Sequence, residues 1–285
     1  MATPDLGSVG AYLVAQAFGR HFPGVRAAEL ERLGYGTLWL AGSPPADLAV
    51  AEAALDVTES VTVGTAIVNV WSAPVDEVAA SYHRIEERHP GRFVLGVGIG
   101  HPEATKEYRK PYDALAAYVE RLLELGVPQD RLILAALRKR MLRLSHDRAA
   151  GALPYFTTPR HTAYARETLG ADRLLAVVAS VVLDEDLDAA RATAREWSRT
   201  YLNLENYVAN LRETGFPDLK TGDEPDDALL DVLSALGSAE RIAERVRTSL
   251  ADGADHVPVF PLPATADPLP AFTAIAHALG LPTAK

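Results

Sequence analysis

The segment Gly91-Arg-Phe-Val-Leu-Gly-Val-Gly-Ile-Gly-His101-Pro102 joins a short apolar run to alternating glycines and then to polar residues. Phe93 to Val97 is apolar without alternation and is bounded by turn-forming residues, which predicts a strand buried on both faces. Gly96, Gly98 and Gly100 leave room next to the backbone where this strand ends. Two interpretations stay open here: the glycines either admit a flat or anionic ligand, or relieve crowding between the strand and a helix.

Outward from this segment, apolar strand-like runs alternate with amphipathic helix-like stretches. Eight such strands, from Gly10–Val14 to His256–Phe260, are each followed by a helix. The chain has 285 residues, slightly more than the roughly 250 typical of a (β/α)8 barrel. The sequence therefore predicts an α/β fold with one (β/α)8 barrel domain over residues 1–285. The alternative, a doubly wound open sheet, would carry a glycine fingerprint after the first strand, and none is present there.

A polar and aromatic insertion at residues 203–237 interrupts this pattern after the seventh strand. Long segments on a rigid scaffold often carry function. The insertion is expected either to cover the barrel mouth as a lid or to form a contact in a homodimer.

Composition excludes several classes of protein. Lys and Arg number 28 against 38 Asp and Glu, a net charge of −10, so nucleic acid is not an expected partner. The absence of cysteine excludes disulfides, thiolate metal sites and a cysteine nucleophile. With no signal-peptide pattern and no apolar run long enough to span a bilayer, the expected protein is soluble, cytoplasmic and without membrane contact.

The residues that follow the predicted strands indicate the chemistry, because active sites of (β/α)8 barrels lie at the carboxyl ends of the strands. They are rich in glycine, amide, aromatic, histidine and cationic groups and contain few carboxylates. A glycosidase needs two acids and a divalent metal needs several oxygen ligands, so neither kind of site is expected. Small residues, aromatic rings and a cationic loop suit a planar cofactor with a phosphate tail and a small-molecule substrate.

Several blocks of the sequence resemble one known family. They are Leu33-Gly-Tyr-Gly-Thr-Leu-Trp-Leu40, Val63-Gly-Thr-Ala-Ile-Val-Asn69, Pro90-Gly-Arg-Phe-Val-Leu-Gly-Val-Gly98, Thr157-Thr-Pro-Arg-His161 and Gly253-Ala-Asp-His256. In order and spacing they resemble the luciferase-like monooxygenase superfamily, which includes flavin-dependent monooxygenases and oxidoreductases that use the 5-deazaflavin coenzyme F420. The histidine in the loop after the fourth strand and the Thr-Pro-x-His block resemble the F420 branch.

The resemblance implies a cofactor that lies across the strand ends. It implies a non-proline cis peptide at Ala66–Ile67, where an ordinary trans peptide is the alternative. The other roles that it suggests are cofactor hydrogen bonding by Asn69 and the backbone of Gly98 and Gly100, substrate contact by Trp71 and Tyr155, and proton donation by His101. For His101 the alternative is an exposed loop histidine, and for Tyr155 a core aromatic residue.

Two clusters are candidates for an anionic cofactor tail. Arg138, Lys139 and Arg140 open a predicted helix, where the helix dipole and unpaired amides favour a phosphate. The alternative is a solvated helix face, and relatives usually have glycine or another small residue here. The second cluster contains Thr158, Arg160 and His161, for which a simple helix cap is the alternative.

Together these features predict an oxidoreductase that transfers a hydride between coenzyme F420 and a small organic substrate. An FMN-dependent monooxygenase is the alternative enzyme. A non-catalytic barrel that acts as a partner subunit or scaffold also stays open, because Arg138 and Lys139 depart from the family pattern.

Overall fold

The computed structural model describes residues 4–14, 22–101 and 110–283. The strands are β1 (Val9–Val14), β2 (Thr37–Ala41), β3 (Thr62–Ala66), β4 (Val68–Asn69), β5 (Phe93–Gly98), β6 (Leu132–Leu134), β7 (Gly151–Ala152), β8 (Leu174–Leu175), β9 (Ala179–Leu183), β10 (Ser234–Gly237) and β11 (Val257–Pro261). The helices are α1 (Phe22–Arg32), α2 (Ala49–Leu55), α3 (Val75–Arg88), α4 (Pro111–Glu124), α5 (Lys139–Arg148), α6 (Pro159–Leu169), α7 (Leu187–Leu202), α8 (Glu205–Glu213), α9 (Asp227–Leu233), α10 (Ala239–Ala251) and α11 (Leu269–Leu279). None of the helices described is both long and apolar enough to cross a membrane.

The strands form a closed parallel barrel. Its order is β1, β2, β3 with β4, β5, β6, β7, β8 with β9, and β11, which pairs with β1 and completes the circuit. β3 and β4 are two parts of the third strand, and β8 and β9 are two parts of the seventh, which pair with β7 and β11 respectively. The predicted (β/α)8 barrel is therefore confirmed.

The insertion at residues 203–237 contains regular structure that the sequence prediction did not assign. It holds α8, α9 and β10, and β10 pairs in parallel with β9. Tyr207, Val208 and Leu211 are buried on one side of α8, at a spacing typical of an amphipathic helix. They belong to a small apolar cluster that also includes Leu137, Phe156, Leu202, Leu229 and Leu233.

A Trp–His pair fills the barrel interior near the amino ends of the strands. The Nε1 of Trp39 donates a hydrogen bond of 2.9 Å to Nε2 of His256, and both side chains are fully buried. Nε2 therefore accepts, so Nδ1 carries the proton and donates to the carbonyl oxygen of Gly7 at 2.7 Å. The neighbouring strands make room by lacking side chains: a Cβ on Gly10 would lie 2.6 Å from the His256 ring, and one on Gly64 would lie 2.6 Å from the Trp39 ring.

The third strand contains a bulge beside β5. Gly64 is paired with Val94, but Val68 is paired with Val97, so one extra residue lies on the β3–β4 side. The hydroxyl of Thr65 bridges the interrupted ladder, because it accepts a hydrogen bond from the Gly96 amide (2.9 Å) and donates one to the Gly96 carbonyl oxygen (2.8 Å). A Cβ at position 96 would lie only 1.9 Å from the Thr65 carbonyl oxygen, which explains one of the three strand-end glycines.

Replacing Thr65 with valine should test this bridge. The change leaves the buried amide of Gly96 without its hydrogen-bond acceptor, so we expect the free energy of unfolding to fall by about 2–3 kcal/mol. Thr65→Ser is the matched control: it keeps the hydroxyl and should cost about 1 kcal/mol for the lost methyl group. Urea denaturation of both variants gives the comparison, and equal losses would argue against a bridging role for the hydroxyl.

Stability should also depend on pH through His256. Burial lowers the pKa of His256 from 6.5 to about 4, so the unfolded chain binds a proton at pH values where the folded chain does not. The stabilisation is complete above pH 6.5 and is lost as the pH falls towards 4, by about 3 kcal/mol in total. Denaturation at several pH values, compared with His256→Gln, measures this contribution; the same slope in both proteins would contradict it.

Candidate functional site

A cavity of about 850 Å3 opens at the carboxyl ends of the barrel strands. It is lined by the end of β1, by the segments that follow β2, β3, β5, β6 and β7, and by residues of α5, α7 and α8. Ligand pockets in proteins commonly have volumes of roughly 300–1,000 Å3. The cavity therefore has the position and size of a ligand site in this kind of barrel.

Of the residues singled out from the sequence, some line this cavity and others do not. Those in the wall are Ala66, Ile67, Gly100, His101, Arg138, Lys139, Arg140 and Tyr155. Those that the structure leaves out of the wall are Asn69, Trp71, Gly98, Thr158, Arg160 and His161.

The bulge of the third strand forms one wall. The peptide between Ala66 and Ile67 is cis, as the family resemblance implied. The hydroxyl of Tyr12 donates a hydrogen bond of 3.3 Å to the Ala66 carbonyl oxygen. Gly98 supports this wall from behind, because a Cβ there would lie 2.9 Å from the Ile67 side chain and 2.8 Å from Ala135.

Asn69 and Trp71 organise the neighbouring loop. The Oδ1 of Asn69 accepts a hydrogen bond from the Trp71 amide at 3.1 Å, and Nε1 of Trp71 donates to the Ile99 carbonyl oxygen at 2.8 Å. Gly100 has a φ of 56°, and a Cβ there would lie 2.8 Å from Nδ2 of Asn69. The Trp71 indole thus ties the segment after β4 to the segment that follows β5 and leads to His101, and Asn69 holds the backbone of Trp71 in place.

A group of aromatic side chains forms a second wall, called here the aromatic wall. It consists of Tyr12, Tyr155, Trp197, Tyr201, Tyr207 and Phe260. The Nε1 of Trp197 donates a hydrogen bond of 2.5 Å to the Tyr155 hydroxyl, and the Tyr155 ring is stacked parallel to Tyr12 and contacts Tyr201 edge to face. Sequence reasoning had singled out only Tyr155. The aromatic content of residues 201–207 indicated that Tyr201 and Tyr207 could belong to a site. Nothing in the sequence distinguishes Tyr12 from the other residues of its strand.

The aromatic wall is uncharged at physiological pH. Burial raises the pKa of Tyr201 and of Tyr207 well above the usual value for tyrosine. Burial also raises the pKa of Tyr155, although hydrogen bonds with Ser180, Trp197 and Tyr201 act in the opposite direction. These phenols keep their protons, so they can donate hydrogen bonds but do not act as bases.

His101 lies between the bulge and the insertion. Its ring centroid is 5.0 Å from that of Tyr207 on α8, and both rings line the cavity. This contact places a group that can carry a proton next to a phenol that stays protonated.

The three consecutive cations lie at the start of α5, on the rim of the cavity. Arg138 is the N-cap residue of the helix, and its Nη2 is 2.5 Å from Oε1 of Glu213 at the end of α8. The guanidinium of Arg140 lies 3.7 Å from the centre of the Tyr112 ring. All three cations are exposed at their heads, whereas the interior of the cavity is apolar and aromatic.

The second cluster predicted to bind an anion, Thr158, Arg160 and His161, lies at the start of α6 outside the cavity wall. Thr158 is buried and caps the helix by accepting from the amide of His161 at 3.2 Å, while its hydroxyl donates to the Thr214 carbonyl oxygen at 3.1 Å. His161 is fully buried, and its Nε2 is 2.6 Å from the Leu137 carbonyl oxygen. Burial lowers the pKa of His161, so it carries no charge for an anion, and Arg160 points to solvent. These residues fasten α6 to the loop before α5 and to the end of α8.

Comparison with known proteins gives one family and many similar folds. The family model described as luciferase-like monooxygenase matches residues 24–256. Among curated proteins, none matches the sequence.

Three solved structures illustrate the similarity of fold. An F420-dependent secondary alcohol dehydrogenase in complex with an F420–acetone adduct has a TM-score of 0.73 at 14% identity, over 98% of this chain and 99% of that one. The coenzyme F420-dependent tetrahydromethanopterin reductase from Methanopyrus kandleri has a TM-score of 0.69 at 14% identity, over 95% and 98%. The oxygenating constituent of 3,6-diketocamphane monooxygenase from Pseudomonas putida, in complex with FMN, has a TM-score of 0.67 at 12% identity, over 96% and 98%.

At such identities the similarity to these structures establishes the fold alone. The family match is independent of them and spans most of the sequence, including the blocks around the bulge and the strand-end glycines. The chain therefore belongs to the luciferase-like monooxygenase family of enzymes.

Proposed function

We propose that this protein is an oxidoreductase that transfers a hydride between coenzyme F420 and a small organic substrate. One observation carries the proposal: the cavity has an uncharged, largely aromatic interior and a rim with three consecutive cations. A deazaflavin has a matching division, because its flat, conjugated ring can stack against aromatic and apolar surfaces and its tail is anionic. The residues present therefore fit the cofactor.

The ring would lie against the bulge. Ala66 and Ile67 offer a small, apolar surface there, and Gly98 behind them lets the Ile67 side chain pack closely. The aromatic wall supplies flat surfaces for a conjugated ring or a substrate, and it excludes water from the reacting atoms.

The anionic tail would lie at the start of α5. Backbone amides in the first turn of a helix have no partner within the helix, and the dipole gives them a partial positive charge. Arg138 and Lys139 add charged donors at the same place. A phosphate is the group that such an arrangement binds best.

When bound, F420 supplies the hydride. His101 would donate a proton from a ring nitrogen to the substrate oxygen that hydride transfer leaves negatively charged. The hydroxyl of Tyr207, which stays protonated beside His101, can hold the substrate oxygen or the imidazole by a hydrogen bond. The chain's contribution is thus alignment, exclusion of water and the supply of one proton.

An FMN-dependent monooxygenase is the second candidate. The cations at the start of α5 suit the single phosphate of FMN as well as the first phosphate of a longer tail. The FMN complex with a similar fold supports this candidate too. The open cavity argues against a non-catalytic scaffold.

Removing two rim cations should weaken cofactor binding. For Arg138→Ala with Lys139→Ala, we expect the Kd for F420 to rise at least about tenfold, because hydrogen bonds to charged groups contribute about 1.5–3 kcal/mol each. Quenching of cofactor fluorescence gives the Kd. The control is Arg143→Ala with Arg148→Ala, which removes the same charge from exposed positions of α5 outside the cavity wall. Equal weakening by both pairs would contradict a specific tail site, and tight binding of FMN without F420 would favour the monooxygenase.

Replacing His101 with glutamine should affect turnover more than binding. We expect kcat to fall by about a hundredfold, the usual contribution of a positioned proton donor, with the Kd for F420 nearly unchanged. The measurement follows the cofactor's absorbance with a panel of small alcohols and ketones. His277→Gln, an exposed histidine on α11, is the control. A variant at position 101 with normal kcat and weakened cofactor binding would assign His101 to the cofactor instead.

A further inference from the structure

Glu213 is the one acidic residue among the described residues that line the cavity. It ends α8, in the insertion, and its carboxylate lies 2.5 Å from the guanidinium of Arg138. The two side chains are 48% and 52% exposed, so both are accessible from the cavity mouth. The carboxylate of Glu213 therefore pairs with the guanidinium of Arg138, which is the cation that an anionic ligand would bind.

Helix dipoles do not explain the placement of either charge. Glu213 lies in the last turn of α8, where the partial charge of the helix is negative, and Arg138 caps the start of α5, where it is positive. The dipole of its own helix thus makes each charge unfavourable at its position, and the ion pair between the two side chains offsets this. The pair joins the insertion to the cationic rim.

A buried amide on the same face of α8 lacks a partner. Asn210 is 1% exposed, and neither its Oδ1 nor its Nδ2 makes a hydrogen bond within the described part of the chain. It is four residues after Asn206 and three before Glu213, both of which line the cavity, so helix geometry directs it towards the same side. Asn210 does not itself line the cavity, so its amide is a place for an ordered water behind the wall and is not evidence for a ligand.

We propose that Glu213 is a specificity-determining residue that competes with the ligand's anionic group for Arg138. In the empty cavity it neutralises the guanidinium. When the phosphate of a cofactor binds, Glu213 must give up this contact. The affinity for phosphate-bearing ligands therefore depends on how much more strongly Arg138 binds the phosphate than it binds the carboxylate of Glu213. This inference rests on the proposed function, because it requires the cofactor phosphate to bind at the start of α5.

The expected effect is modest and selective. Exposed ion pairs contribute at most about 1 kcal/mol, so removing the competitor should strengthen binding of a phosphate-bearing ligand about two- to fivefold. A ligand with the same ring and no phosphate should bind unchanged.

The test compares F420 and FMN with riboflavin, which has the ring and ribityl chain of FMN without the phosphate. Kd values are measured by fluorescence quenching for the unmodified protein, Glu213→Gln, Arg138→Gln and the double variant. Glu224→Gln is the matched control, since Glu224 is a paired glutamate in the same insertion outside the cavity wall. We expect Glu213→Gln to lower the Kd of the phosphate-bearing cofactor about two- to fivefold, to leave the Kd of riboflavin unchanged, and to have no effect when Arg138 is already glutamine.

The outcomes separate this inference from the proposed function. If the cofactors bind and Glu213→Gln changes the Kd no more than Glu224→Gln does, the competition is refuted while the proposed function stands. If Glu213→Gln strengthens riboflavin equally, the residue acts on access to the cavity and not on the anion, which also refutes it. If no cofactor binds to the unmodified protein, both proposals fall together.

Discussion

The site depends on one hydroxyl group, that of Thr65. At this point the third strand has one residue more than its neighbour, and a regular ladder of backbone hydrogen bonds is not possible. Thr65 replaces the missing pairing by bonding to both the amide and the carbonyl oxygen of Gly96. Because the two strands stay together, Ala66 and Ile67 turn their small surface towards the cavity. Without the hydroxyl, the amide of Gly96 would be buried beside the site without its acceptor.

Much of the barrel could be predicted from the sequence because its signals are local. Runs such as Thr37–Ala41 and Phe93–Gly98 are apolar, short and bounded by turn residues, and the structure has strands there. The insertion was harder, because α8 and α9 are short and polar outside and obtain their stability from contacts with Leu137 and Phe156, far away in sequence. Helices of nine and seven residues have weak periodicity and depend on such packing.

Parts of the cavity wall were predicted from different signals. The cis peptide at Ala66–Ile67 was implied by the family resemblance, and the cations of α5 were predicted from their chemistry and position at the start of a helix. Asn69 and Trp71 have suitable chemistry, but their hydrogen bonds are made within their own loop and with Ile99. The pairing of Arg138 with Glu213 joins residues 75 positions apart, and no local pattern indicates such a contact.

The Trp39–His256 pair limits the route by which ligands can reach the cavity. These two rings fill the barrel interior below the cavity, so the interior is closed towards the amino ends of the strands and does not form a channel. A ligand in the cavity therefore cannot pass along the barrel axis to the amino ends of the strands, and it reaches and leaves the site on the side of the carboxyl ends.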